Sequence, residues 1–125
     1  MAGQFAGRVL VLGGGSVSQC SVPLLLRHIV AAPSQVTVMD YQDVKARFAD
    51  SIALGINFVS AEVTRENLHE LLSQYVSRGD VLIDLAWNID ANTIIGWCHD
   101  HGVLYLNTSV EEWDPYEAQS DRDPR

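Results

Sequence analysis

The chain has 125 residues, of which 47% are hydrophobic, and its formal net charge is −8. This length suits a single domain with one buried core, and the two cysteines provide no disulfide framework. The acidic balance argues against nucleic acid and against an anionic membrane surface as partners. The sequence contains neither a secretory leader nor a membrane-length apolar stretch, so we predict a cytoplasmic protein.

The first half of the chain reads as strand, helix, strand, helix, strand. A strand over residues 8–12 leads into Gly13-Gly14-Gly15-Ser16-Val17-Ser18 and a helix, in which Pro23 is expected to produce a kink. A second strand over 35–39 ends at Asp40, and a thin apolar stripe predicts a second helix before a strand over 56–59. The members of that stripe are Val44, Phe48 and Ile52.

The second half of the chain repeats the alternation. A third helix is expected after Thr64, its predicted N-cap, because Leu68, Leu71, Leu72, Tyr75 and Val76 recur at helical spacing. A strand over 81–85 is followed by a fourth helix and a strand over 103–106. The fourth helix has Asn88 or Asp90 as its predicted N-cap, Gly102 as its end, and an apolar stripe of Ala91, Ile94, Ile95 and Cys98.

These elements predict an α/β fold with a doubly wound parallel sheet. The strands are nearly continuous runs of Val, Leu and Ile, which is typical of parallel strands buried on both faces. Right-handed crossovers favour a five-stranded, Rossmann-like sheet in the order 3-2-1-4-5. Ligands of such sheets bind beyond the strand ends at the switch between strands 1 and 4, where the glycine loop, 86–90 and 107–113 should meet.

The glycine loop and Asp40 form a dinucleotide-binding fingerprint. Gly13 allows the sharp turn out of the strand, Gly15 allows the pyrophosphate to approach, and the helix N-terminus attracts its charge. Asp40 is placed to accept hydrogen bonds from an adenosine ribose and would repel a 2′-phosphate, which favours NAD over NADP. Ser18 replaces the third glycine and is expected to loosen the helix slightly. The alternative is a glycine-rich turn that binds nothing.

Two further segments allow more than one interpretation. Asn88 can contact a substrate or cap a helix. The segment Asn107-Thr108-Ser109-Val110-Glu111-Glu112-Trp113 offers carboxylates and an indole that could hold a primary ammonium, or it is a solvated loop. The acidic residues after it attract a cationic substrate or form a solvated tail.

A third cluster, Cys98-His99-Asp100-His101, offers too few ligands for a metal. Cys98 and His101 share a helix face, but two ligands do not make a zinc site, so we predict no metal. Histidines in the last turn are explained by the helix dipole, and Cys98 belongs to the core stripe. His28 and His69 are expected to face water.

Several blocks of the chain resemble the start of bacterial homospermidine synthases. They are residues 7–17, 23–28, 36–40, 63–68, 84–88 and 104–115, and the last block is the most specific. More distantly, the chain resembles the nucleotide-binding half of saccharopine dehydrogenase-like proteins.

The resemblance implies an NAD-dependent transferase with no net redox change. In that family bound NAD⁺ takes a hydride from putrescine to give an imine. A second putrescine amine attacks this imine and displaces ammonia, and NADH returns the hydride to the new imine to yield homospermidine. The resemblance implies that Gly13, Gly15, Ser16, Val17 and Asp40 hold NAD. We also predict Ala86 and Thr108 as cofactor-binding residues. The resemblance further implies that Glu111 faces the cationic amine, with Asn88 and Trp113 nearby.

The resemblance also divides the chain. Residues 1–113 are expected to form the NAD-binding domain, and 114–125 an acidic polar tail at the start of a substrate domain, so that the isolated chain is expected to be catalytically incomplete. Two alternatives remain open at this point: an oxidoreductase that acts on another amine or amino acid, and a non-catalytic NAD-sensing or dimerising module. The sequence leaves the oligomeric state open, including a homodimer formed at an exposed edge strand.

Overall fold

The computed structural model describes residues 4–86 and 91–107. The strands are β1 (Val9–Leu12), β2 (Val36–Asp40), β3 (Asn57–Ser60), β4 (Val81–Asp84) and β5 (Leu104–Leu106). The helices are α1 (Ser16–His28), α2 (Ala49–Leu54), α3 (Leu68–Tyr75) and α4 (Ala91–His101), with short 3-10 turns at Pro33–Gln35 and Lys45–Phe48. Each strand begins and ends within one residue of its predicted limits.

All five strands belong to one parallel sheet in the order β3-β2-β1-β4-β5. Strand β1 lies at the centre, where Val9 pairs with Val36 on one side and with Val81 on the other. The chain crosses from β3 at one edge to β4 beyond β1, which places the switch in strand order between β1 and β4. The predicted fold class and strand order are confirmed.

The core has one layer on each face of the sheet. On the first face Leu10 and Leu82 pack with residues of α3 and α4, including Leu72 and Ile94. The second face is covered by α1 and the segment before α2, and its buried residues are Val9, Val11, Val22, Val30, Val36, Val38, Phe48 and Ile56. All four residues of β1 are buried, because successive side chains of a central strand point into opposite layers.

The helix starts differ in detail from the sequence prediction. Helix α3 begins at Leu68 with Asn67 as its N-cap, so the prediction of Thr64 as N-cap is wrong. The Thr64 amide donates to Asn67 Oδ1 (2.7 Å), and the Asn67 amide donates to Thr64 Oγ1 (3.2 Å). This reciprocal exchange has the pattern of a capping box, but it closes the turn at 65–67 that leads directly into α3, one turn before the helix itself begins.

The predicted apolar stripe of the second helix contacts the core, but it spans two short elements and not one continuous helix. Phe48 is buried, while Val44 and Ile52 pack at the edge of the same layer. The stripe begins on the 3-10 turn Lys45–Phe48 and ends in the short helix α2.

Two residues that disrupt helices take different places. Pro23 lies inside α1, which extends from Ser16 to His28. Gly102 ends α4 with a φ of +70°, and the next amide, of Val103, donates to the Cys98 carbonyl (2.9 Å). This confirms the predicted end of α4, since a positive φ is accessible to glycine at little cost.

A buried carboxylate joins the amino ends of β1 and β4. Asp80 is 7% exposed, and its Oδ1 accepts the Arg8 amide (2.8 Å). Its Oδ2 accepts the Ser77 amide (2.8 Å) and Arg8 Nε (3.1 Å). Asp80 therefore fixes the sheet at the end opposite the glycine loop.

Among the described residues, no helix is long and apolar enough to cross a membrane.

Candidate functional site

The turn after β1 depends on Gly13. Its φ is +101°, and its amide donates to the Met39 carbonyl of β2 (2.7 Å). A Cβ at this position would lie 2.9 Å from the Leu85 carbonyl oxygen and 3.0 Å from Ala86 Cα. Glycine is therefore required both by the backbone conformation and by the close approach of the chain that leaves β4.

The next residue, Gly14, is held from both sides. Its amide donates to Asp40 Oδ2 (2.7 Å), and its carbonyl accepts a hydrogen bond from Arg47 Nη1 (3.1 Å). Asp40 Oδ1 in turn accepts the Gln42 amide (2.9 Å). Asp40 and Arg47 thus fix the orientation of both peptide groups of Gly14.

Gly15 stands at the N-terminus of α1 and leaves the space beside it open. A Cβ on Gly15 would have no heavy atom within 4 Å in the described structure. The first intrahelical bond runs from the Gln19 amide to the Gly15 carbonyl (3.0 Å), so the preceding amides of Ser16 and Val17 remain available for a ligand. The first turn contains no acidic residue. The open space and the free amides suit an anion such as a pyrophosphate.

Ser18 packs more tightly than the sequence suggested. It is fully buried, and its hydroxyl donates a hydrogen bond to the Gly13 carbonyl. The side chain expected to loosen the helix instead ties α1 to the turn that precedes it, because a serine hydroxyl is small enough to fit and can donate to a backbone carbonyl.

A cavity of about 650 Å³ opens over the glycine loop. It lies at the carboxyl ends of the strands and extends from the exit of β3, past the exit of β2, to the exit of β4. This volume is in the range of small-molecule sites. The cavity lies at the switch in strand order, where ligands of doubly wound sheets bind.

Most of the predicted cofactor residues line this cavity. They are Gly13, Gly15, Ser16, Val17, Asp40 and Ala86. Other residues of the wall were not predicted from the sequence, among them Gly14, Tyr41, Gln42, Arg47, Ala61, Glu62, Val63 and Leu85. Tyr41 and Gln42 directly follow Asp40 at the end of β2, so the fingerprint could have indicated them. Residues 61–63 follow β3, and no sequence motif marks them as part of the site.

The remaining predicted site residues lie outside the described ranges. They are Thr108 among the cofactor residues and Asn88, Glu111 and Trp113 among the catalytic ones. Asp90, an alternative N-cap of α4, and the predicted domain boundary at residue 113 also fall there.

A second buried carboxylate lies at the end of β4, beside the cavity. Asp84 is 3% exposed, and its Oδ2 accepts the Tyr105 hydroxyl (2.7 Å). Its Oδ1 accepts the Ala86 amide (3.2 Å), and the Tyr105 hydroxyl accepts Asn107 Nδ2 (2.9 Å). No role was predicted for Asp84 from the sequence, although a charged residue within the apolar run 81–85 is a signal that could have found it.

The cysteine and histidine cluster of α4 belongs to the packing. Burial and the neighbouring Asp84 carboxylate raise the pKa of the Cys98 thiol to about 11, so it stays protonated near neutrality. His101 stacks on Trp97 with ring centroids 4.3 Å apart, and its Nδ1 donates to the Trp97 carbonyl (2.7 Å). In residues 4–86 and 91–107 no three His, Cys, Asp or Glu side chains are grouped to hold a metal ion.

The other two histidines differ from each other. His28 is exposed, as expected. His69 is also exposed, but its Nδ1 accepts a hydrogen bond from Trp97 Nε1 (3.1 Å), so it contacts the aromatic pair on α4.

Comparison with known proteins identifies the family. The family described as the saccharopine dehydrogenase NADP binding domain matches residues 9–123. The chain belongs to this family.

Two homospermidine synthases are similar in sequence to this chain. The enzyme of Mesorhizobium japonicum is 32% identical over 114 residues, which cover 89% of this chain and 23% of that protein. The enzyme of Blastochloris viridis is 29% identical over 121 residues, which cover 94% of this chain and 25% of that protein. These matches confirm the resemblance to homospermidine synthases.

A solved structure matches as well. The homospermidine synthase of Legionella pneumophila in complex with NAD superposes with a TM-score of 0.78 at 28% identity. The alignment covers 94% of this chain and 26% of that one. The chain thus spans about a quarter of the length of the relatives it matches.

Proposed function

We propose that this chain is the NAD-binding domain of a homospermidine synthase-like enzyme. The observation that carries the proposal is the arrangement of the glycine loop: Gly14 is held rigidly, while Gly15 leaves open space beside the available amides of α1. A pyrophosphate needs both a fixed backbone and close access to it. The match to a homospermidine synthase structure that contains NAD supports the same assignment.

The adenosine end of the cavity favours NAD over NADP. Asp40 already accepts the amides of Gly14 and Gln42, yet each carboxylate oxygen keeps a second lone pair for a ribose hydroxyl. Glu62 adds a second carboxylate to this part of the wall. Two negative charges would repel the 2′-phosphate of NADP. This preference differs from the description of the family, which names NADP.

The reaction that we propose for the whole enzyme joins two putrescine molecules and releases ammonia. Bound NAD would accept a hydride from the first putrescine. It would return the hydride to the imine that forms when the second putrescine displaces ammonia. In this chain Ala86 and Thr108 would border the nicotinamide. Glu111 would pair with the substrate ammonium, and Asn88 and Trp113 would orient it by hydrogen bonding and cation–π contact. The resemblance of residues 84–88 and 104–115 to homospermidine synthases supports these roles, and Ala86 lines the cavity.

Calorimetric titration of NAD⁺ and NADP⁺ tests the cofactor assignment. The variants are Asp40→Asn and a control, Asp43→Asn, whose carboxylate is exposed and pairs with Lys45 at 4.0 Å. We expect the unmodified protein to prefer NAD⁺, Asp40→Asn to reduce this preference by about tenfold, and Asp43→Asn to retain it. Failure of both dinucleotides to bind would refute the proposal, and tighter binding of NADP⁺ would favour a saccharopine dehydrogenase-like oxidoreductase.

A further inference from the structure

The buried carboxylate of Asp84 has no role in the cofactor contacts described so far. Asp84 is 3% exposed, although a buried charge is costly unless hydrogen bonds compensate it. Its two oxygens accept the Ala86 amide and the Tyr105 hydroxyl. A carboxylate placed here for packing alone could be replaced by any apolar side chain of the strand, so its hydrogen bonds need an explanation.

These hydrogen bonds join the exits of two strands. The Ala86 amide belongs to the segment that leaves β4, and Tyr105 lies in β5 with Asn107 just beyond it. The chain of contacts therefore extends from the Ala86 amide through Asp84 and the Tyr105 hydroxyl to the Asn107 amide. It keeps neighbouring strand ends in one arrangement on the side of the cavity away from Asp40.

The exit of β4 also forms the cavity wall next to the glycine turn. Leu85 and Ala86 line the cavity, and the Leu85 carbonyl lies so close to Gly13 that a Cβ there would be 2.9 Å from it. A small rotation of the Leu85–Ala86 peptide would therefore change both the wall and its contact with the turn. Asp84 opposes that rotation by holding the Ala86 amide.

We propose that Asp84 and Tyr105 are positioning residues for the nicotinamide half of the cofactor. The inference rests on the proposed NAD site, in which the adenosine lies against Asp40 and the nicotinamide reaches the β4 exit. The pair holds the Leu85–Ala86 wall against which that half of NAD binds. Its effect on the ADP half, which binds over β2, β3 and the glycine loop, is expected to be smaller, because Asp40 and Arg47 hold that loop independently of Asp84.

The test compares NAD⁺ with ADP-ribose, which lacks the nicotinamide ring. The variant is Tyr105→Phe, which removes the hydroxyl from the network. The control is Tyr75→Phe: Tyr75 packs against the same core layer, and its hydroxyl has no hydrogen-bond partner in the described part of the chain. The measured quantity is the ratio of the dissociation constants of ADP-ribose and NAD⁺, obtained by calorimetry for each protein.

We expect Tyr105→Phe to lower this ratio about fivefold, which corresponds to the ~1 kcal/mol typical of one hydrogen bond. Tyr75→Phe should leave the ratio unchanged. Because both ligands are compared on the same protein, partial unfolding weakens both affinities and cancels in the ratio. A purely structural role for Tyr105 would therefore not change it.

The other outcomes separate this inference from the proposed function. If the unmodified protein binds ADP-ribose and NAD⁺ but Tyr105→Phe keeps the ratio, the positioning role is refuted and the cofactor site stands. If the unmodified protein binds neither ligand, the proposed function fails, and the inference fails with it. Should Tyr105→Phe not fold, the isosteric variant Asp84→Asn gives the same test, because an amide offers one acceptor oxygen where the carboxylate offers two.

Discussion

Replacing Gly15 with alanine should separate cofactor binding from folding. The backbone of Gly15 has φ −83° and ψ −162°, an extended conformation that alanine adopts without strain. The added methyl group would meet no heavy atom of the described structure within 4 Å. We therefore expect the free energy of unfolding to stay within about 0.5 kcal/mol of the unmodified value.

The same methyl group would occupy the space that the pyrophosphate needs. An extra methyl in a filled site typically costs ~1–3 kcal/mol, so we expect the dissociation constant of NAD⁺ to rise about 10- to 100-fold. Calorimetric titration measures the affinity, and urea denaturation of the free protein measures the stability.

Gly13→Ala is the matched comparison, because it should have the opposite profile. Its φ of +101° and the 2.9 Å approach of the Leu85 carbonyl oxygen make any side chain unfavourable. Strain and overpacking together should cost ~2–5 kcal/mol of stability in the free protein. Undiminished NAD⁺ affinity in Gly15→Ala would refute the placement of the pyrophosphate over this residue, and a large loss of its stability would refute the open space.

Three further predictions concern residues around the site and the core. Arg47→Gln removes the hydrogen bond to the Gly14 carbonyl and should raise the dissociation constant of NAD⁺ about fivefold. Arg27→Gln, at an exposed position on α1, should leave it unchanged. Equal NAD⁺ affinities of the two variants in calorimetry would refute the role of Arg47 in holding the glycine loop. Asp80→Ala leaves two backbone amides without their acceptor and should cost ~2–3 kcal/mol in urea denaturation; a loss below ~0.5 kcal/mol would contradict the buried contact. Because the folded state raises the pKa of Cys98 to about 11, the unfolded state loses its proton first as pH rises, and stability should fall from about pH 9 towards pH 11. Cys98→Ala should weaken that pH slope and the exposed Cys20→Ala should not; identical slopes would show that the thiol does not cause it.

Local patterns were sufficient for the fold. The apolar strands, the helical stripes and the strand–helix alternation predicted the doubly wound sheet and its order, because each signal depends on the periodicity of neighbouring residues and crossovers are right-handed. They misplaced the start of α3, since Thr64 and Asn67 satisfy each other in a turn outside the helix.

The residues of the candidate site also fall into two groups, those that a local motif predicted and those that only the folded structure brought together. The sequence by itself identified the glycine loop and Asp40, because the turn, the helix N-terminus and the acidic strand end lie within one β–α–β unit. Only the tertiary structure showed that Arg47 holds a carbonyl 33 residues away and that Tyr105 holds a carboxylate 21 residues away. An arginine on an irregular segment and a tyrosine in a strand carry no local mark of these roles. Their partners are set by how the strands are ordered in the sheet, and this is why the braces around the cavity became visible only in the folded chain.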